Sequence, residues 1–221
     1  MDRFLTTGPE TTATATLLLA HGAGAAMDSP FMNQIATLLA ERGIEVLRFE
    51  FPYMMSRRET GKRRPAPKAE SLQDAYRAAI ADAKAVARGA LSIGGKSMGG
   101  RVASLVAHTA HSDAMIKSLV CLGYPFHPPK TPEATRTTHL AALECPTLIV
   151  QGERDPFGGR HEVESYRLSA AIRLTWLGDG DHDFGPRGAS GFTRKGNLAA
   201  AADAVAGFLQ GAGGLIAQPR P

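Results

Sequence analysis

The stretch Leu91-Ser92-Ile93-Gly94-Gly95-Lys96-Ser97-Met98-Gly99 decides how the rest of the chain is read. It opens as a short strand and runs into a Gly-x-Ser-x-Gly turn formed by Gly95, Ser97 and Gly99. That pattern is a nucleophile elbow. The strand-to-helix turn is sharp and the serine backbone strained, so larger residues two positions before or after it would clash. A serine held this way projects its hydroxyl clear of a sheet. The N–H of Met98 opens the next helix, read from Gly100 to His108, where the helix dipole favours developing negative charge.

A serine hydroxyl is a weak nucleophile at neutral pH and needs a base, which in turn needs an orienting acid. Behind an elbow of this kind the acid and then the histidine follow in chain order, each in the loop after a strand. Thr147 to Gln151 reads as a buried strand that ends in a glycine turn carrying Asp155, the expected acid. Ala171 to Leu177 reads as the next strand, followed by Gly178-Asp179-Gly180-Asp181-His182-Asp183-Phe184, with His182 the expected base. Upstream, the β-prone run from Thr12 ends in His21-Gly22-Ala23-Gly24. A glycine-rich loop there supplies a second oxyanion donor, and Ala23 N–H is expected to pair with Met98 N–H.

Competing assignments exist for several of these residues. His21 is read as structural, holding its loop. Asp179, Asp181 and Asp183 crowd His182 and compete with Asp155 as its orienting acid, although sequence neighbours rarely face each other across such a hydrogen bond. Glu153 is a weaker competitor, read as solvent-facing. His108 and His111 stand one helical turn apart but have no evident third ligand, so no metal or cofactor is expected. Gly95-Lys96-Ser97 imitates the end of a P-loop, yet Ala90 stands where the Walker pattern needs glycine.

The chain has 221 residues, 43% hydrophobic and 21% charged, which suits one soluble domain able to bury its own core. Residues 1–210 are read as that domain and 211–221 as a frayed tail without periodicity. Cys121 and Cys145 lie in or beside apolar runs and are read as buried thiols of a reducing compartment. No stretch approaches the roughly 18 apolar residues of a membrane span, and the N-terminal apolar run lacks a signal peptide's basic flank; a cytoplasmic protein is expected. The segment 56–68 holds six of the 25 basic residues and one of the 21 acidic ones. The net charge of +4 thus comes from one segment on a near-neutral body, which argues against a broad nucleic-acid surface. That loop is a solvated surface, an anion-attracting rim over the site, or a contact for a nucleic acid or an acidic protein.

Strand and helix signals alternate throughout, which argues for parallel βαβ units. Phe31 to Arg42 has helical spacing and stops at Gly43. Ile44 to Phe51 is a strand ended by Pro52, before the basic loop. A long helix with one apolar stripe is expected from Ser71, capped by that serine with Asp74, to Gly89. Ile116 to Leu122 is another strand, and Leu198 to Leu209 a last helix. Only a short proline-bearing loop runs from Tyr124 to Thr138, so any cap over the site is small or absent.

On these residues the chain resembles the α/β-hydrolase superfamily, and within it a small, cap-poor bacterial group related to dienelactone-hydrolase-like proteins. It is also similar to the hydrolase-like domain of a eukaryotic nonspecific-lethal complex subunit and a testis-expressed protein. The likeness is carried by His21-Gly-Ala-Gly24, Phe51-Pro-Tyr-Met54, Gly61-Lys-Arg-Arg-Pro65, Gly95 to Arg101, Gly123 to Pro129, Gln151 to Gly158 and Gly180 to Phe184. It implies a three-layer α/β fold, a mostly parallel sheet with helices on both faces, and a Ser97, Asp155, His182 triad. Dienelactone hydrolases use a cysteine nucleophile where this chain has Ser97, so their substrate is not carried over.

Lys96 is either a structural contact or, if its ammonium faces the site, a mark of an anionic substrate. Tyr124, Phe126 and His127 are expected to line the pocket where a cap would otherwise sit, and Arg101 to be solvated or ion-paired. The expected function is hydrolysis of an ester, thioester or similar acyl bond of a small, anionic or neutral substrate. The alternative is a non-catalytic protein-interaction module on the same fold. Oligomeric state leaves no mark in the sequence.

Overall fold

Gly43, Gly61 and Gly123 mark where the chain turns sharply, and all three adopt positive φ. Between such turns the computed structural model, which describes residues 3–9 and 12–211, builds one seven-stranded sheet. In chain order the elements are β1 (Leu5–Thr7), β2 (Ala15–Ala20), α1 (Pro30–Ala40), β3 (Ile44–Phe49), α2 (Pro52–Thr60), α3 (Gln73–Val86), β4 (Ala90–Lys96) and α4 (Met98–Ser112). They continue with β5 (Leu119–Leu122), β6 (Thr147–Gly152), α5 (Arg160–Val163), β7 (Ile172–Leu177) and α6 (Arg194–Leu209). The spatial order is β1-β3-β2-β4-β5-β6-β7, parallel except for β1, which runs antiparallel on β3.

The alternation of side chains along a strand makes the two cores. Leu18 and Ala20 of β2 face α3 and α4, together with Ile93, Cys121 and Ile149. Leu17 and Leu19 face α1 and α6, together with Val46, Val120 and Val150. Helices therefore cover both faces, and the central strands read as continuous apolar runs, as strands buried on both sides do. β4 lies at the centre of the order, and its C-terminal end carries the elbow. A parallel sheet collects its loops at that end, where ligands of open α/β sheets bind.

Three expectations are corrected. The basic segment is not a loop throughout, because Pro52 begins a helix and Gly61 (φ 68°) closes it; only 61–68 is irregular. That helix buries only Met54, so it leaves no apolar periodicity, although proline at the start and glycine just past the end are helix punctuation. Ser71 does not cap α3: a 3-10 turn, Ala69–Leu72, precedes it, and Ser71 Oγ donates to Lys68 O at 2.8 Å. The strand expected from Ile116 begins at Leu119. β1 is absent from the sequence reading, since three residues before a Gly-Pro pair carry no period. The expected tail lies outside the described residues except for Gly211. Cys121 and Cys145 are free and buried.

The segment between β5 and β6 holds a 3-10 turn at Leu140–Ala142 and no inserted helical cap. No helix among the described residues is long and apolar enough to cross a membrane.

Candidate active site

Ser97 sits between β4 and α4 with φ 52° and ψ −117°, a conformation that costs about 1–3 kcal/mol for a residue with a side chain. Its N–H donates to Leu122 O at 2.9 Å and its carbonyl accepts from Arg101 N at 3.0 Å, which hold the strained turn in place. The neighbours must be glycine. A Cβ on Gly95 would lie 2.3 Å from Gly99 C, and one on Gly99 would lie 2.5 Å from His21 O. The elbow is thereby pressed against the loop that follows β2.

Asp155 and His182 reach Ser97 from the ends of β6 and β7. Gly152 ends β6, and a Cβ there would lie 2.3 Å from Asp181 O, so the two loops pack backbone to backbone. Asp155 is 2% exposed. Its Oδ2 lies 2.8 Å from His182 Nδ1, and His182 Nε2 lies 2.9 Å from Ser97 Oγ. A carboxylate only accepts, so Nδ1 carries the ring proton, Nε2 is the acceptor, and Ser97 donates its hydroxyl hydrogen. The Phe157 ring packs on the imidazole at 4.4 Å between centroids.

The three neighbouring acids are occupied elsewhere. Asp179 is clasped by Arg187 and Arg154, and the Arg187 hydrogen bonds hold its carboxyl well below the usual range. Asp181 Oδ1 accepts from the N–H groups of Asp183 and Gly185, shaping the turn that presents His182. Asp183 faces Lys96 at 3.2 Å. Glu153 accepts from Asp179 N and pairs with Arg160.

The loop after β2 is held by groups the sequence reading mostly overlooked. His21, fully buried, donates from Nδ1 to Gly22 O at 2.6 Å and accepts at Nε2 from Phe51 N at 3.2 Å. Burial pulls its pKa below the ordinary histidine value and favours this neutral form. From α2, Tyr53 Oη donates to Ala23 O at 3.0 Å and Arg57 to Gly24 O at 3.0 Å. Arg58 bridges Asp28 and Glu50. Part of the basic segment is thus engaged with the site's loop rather than solvated.

Over Ser97 lies an open cleft of about 410 Å³, walled by Ala23, Phe31, Met32, Lys96, His182 and Arg194 among others. Lys96, left open between a structural contact and a site-facing cation, lines the cleft. Tyr124, Phe126 and His127 do not. Tyr124 and Phe126 are fully buried in the core on the α4 side, where the Tyr124 hydroxyl donates to Arg136 O at 3.0 Å. His127 is 4% exposed and pairs with Glu162 at 3.0 Å. The chain turns at Gly123 (φ 64°), and the aromatic run packs into the core beside Leu140, Leu143 and Val163. Arg101 is ion-paired with Glu70.

Gln151 is the main residue missed. Fully buried at the end of β6, it donates to Asp155 Oδ2 (3.0 Å), Tyr124 O (3.1 Å) and Gly158 O (3.2 Å), and accepts from Tyr124 N (2.7 Å). A glutamine closing an otherwise apolar strand was the available signal, because a buried amide demands partners.

Sheet order, elbow and the serine, histidine and aspartate at three strand ends together define a lidless α/β-hydrolase architecture. The chain belongs to the alpha/beta hydrolase domain family, whose sequence model matches residues 13–210. Solved structures agree on the fold. An alpha-beta serine hydrolase homologue from Coxiella burnetii superposes with a TM-score of 0.68 at 17% identity, covering 92% of this chain and 89% of that one. A dienelactone hydrolase from Anabaena variabilis gives 0.67 at 22% identity, covering 92% and 88%. A serine hydrolase without lid from Xanthomonas campestris gives 0.61 at 19%, covering 97% and 89%.

Proposed function

We propose that the protein is a serine hydrolase that cleaves an ester, thioester or similar acyl bond of a small substrate. The observation that carries this reading is the unbroken hydrogen-bond relay from Asp155 through His182 to Ser97 at the base of an uncapped cleft. Ser97 Oγ attacks the carbonyl carbon as His182 Nε2 takes its proton, giving a tetrahedral intermediate. His182 returns that proton to the leaving group as the acyl-enzyme forms, and a water attacking the acyl-enzyme repeats the sequence. Asp155 keeps the imidazole in the productive tautomer and stabilises the imidazolium.

Two amides serve the oxyanion in this reading. Met98 N–H belongs to the first turn of α4, whose amides have no partner within the helix. The Ala23 N–H points away from the Gly22 carbonyl in a trans peptide, and that carbonyl is drawn to His21. Fixing one end of the peptide aims the other. Free thiols at Cys121 and Cys145 suit a reducing, cytoplasmic setting.

The test is hydrolysis of short-chain 4-nitrophenyl esters with a pre-steady-state burst. A stoichiometric burst, absent in Ser97→Ala, supports the acyl-enzyme. A folded protein inert towards the panel overturns the reading in favour of an interaction module, for which the exposed Lys62, Arg63 and Arg64 would be the contact surface.

A further inference from the structure

Lys96 stands next to the nucleophile, and its side chain passes beneath the loop after β2: a Cβ on Gly22 would lie 3.8 Å from Lys96 Cγ. The ammonium donates to His182 O at 2.7 Å and faces Asp183 Oδ1 at 3.2 Å, with the Phe31 ring centroid 5.2 Å away. The two charges of this pair are unequally held. The Lys96 side chain is 8% exposed and Asp183 65%. The cation is built into the cleft wall, whereas the anion is a solvent-facing side chain on a loop, free to swing into water at small cost.

A buried ammonium needs an anion beside it, because a charge taken out of water without a partner is strongly disfavoured. When Asp183 leaves, another anion must take its place, and the space it would enter is the cleft above Ser97. Arg194 adds a second cation to that wall, against the single carboxylate of Asp183. The partner Lys96 accepts here is a carboxylate, and Asp155 and Asp181 also lie near enough to act on it electrostatically. Arg194 is turned to Gln34, whose Oε1 accepts from it at 2.9 Å, so one ammonium meets the incoming group, and against that negative surround a monoanion fits.

Resting on the serine-hydrolase reading, we propose that the substrate carries a carboxylate, which Lys96 receives in exchange for Asp183. Asp183 then acts as a resident counter-ion that pairs with Lys96 between turnovers. Carboxylate-bearing esters bind by exchange, while neutral esters leave the pair closed and gain nothing from it.

The experiment compares matched esters after subtracting spontaneous hydrolysis. The mono-4-nitrophenyl ester of glutaric acid is set against 4-nitrophenyl valerate, and 4-acetoxybenzoate against its methyl ester, so the charge is placed in the acyl or the leaving part. For one pair, kcat/KM is expected to favour the charged member at least tenfold. Lys96→Met abolishes that ratio, chiefly through KM of the charged ester, and Asp183→Asn raises it. Lys96→Met that lowers both members equally makes the lysine a strut for the His182 carbonyl and overturns the proposal, as does a wild type without charge preference. Failure of the underlying reading looks different: neither neutral nor charged ester is hydrolysed.

Discussion

At the scale of single residues, the account makes Asp155 and Gln151 separable. Asp155→Asn keeps the shape of the relay but offers His182 a donor or acceptor of the wrong kind, and kcat is expected to fall about 10⁴-fold with the fold intact. Steady-state kinetics beside a circular dichroism spectrum checks this. Gln151→Leu keeps the carboxylate and removes its clamp. It leaves the buried Tyr124 N–H without its acceptor, so denaturant unfolding should show a loss of about 2–3 kcal/mol and kcat should drop while KM holds. Unchanged stability would mean that Gln151 does not bear the β6 end. Ser97, Asp155 and His182 were legible in the sequence because Ser97 stands in a Gly-x-Ser-x-Gly turn and the other two follow strand-like runs in the chain order such an elbow demands. Gln151 was not, since its importance lies in four contacts, to Tyr124 beyond the neighbouring strand and to Asp155 and Gly158 in its own loop, that only the folded chain brings together. Tyr124, Phe126 and His127 misled for the opposite reason: an aromatic run after a strand looks like a pocket wall until the turn at Gly123 folds it inward.

At the scale of elements, the least legible piece is α2. Its sequence is polar and basic and buries only Met54, so neither hydrophobic period nor composition distinguishes it from a loop. Its task is to hold the backbone after β2, with Tyr53 on Ala23 O and Arg57 on Gly24 O. Loss of one such bond is worth about 1–1.5 kcal/mol. Tyr53→Phe is therefore expected to lower kcat about tenfold, with little change in KM and in the melting temperature, when assayed on a neutral short-chain ester. An equal kcat in the variant would show that the loop stands without α2. The β4–α4 elbow, by contrast, was the most legible element, because backbone contact at Gly95 and Gly99 admits no side chain. β2, β3, β6 and β7 were legible through their apolar runs, whereas β1 depends on its pairing with β3 alone.

For the whole molecule, the order of strands follows from alternating patterns and the need to cover both faces of a sheet, and the sequence carried that much. What it could not carry is the polar interior. His139 lies against Ser104 at 2.8 Å, and burial pulls its pKa from the ordinary 6.5 down to about 4. His21 is shifted the same way. The folded protein keeps these rings neutral while the unfolded chain protonates them, so the unfolded state binds more protons between about pH 6.5 and pH 4. Stability is full above that window and declines as pH falls through it. Melting temperatures measured from pH 7 to 4.5 should decrease, with a shallower slope in His139→Gln; equal slopes in the two proteins would contradict the assignment.

Whether Ser97 is an activated nucleophile is decided by labelling with a fluorophosphonate followed by peptide mapping. One stoichiometric adduct is expected on Ser97, lost in Ser97→Ala and in His182→Ala. A folded wild-type protein that stays unlabelled, or carries its adduct elsewhere, would contradict it.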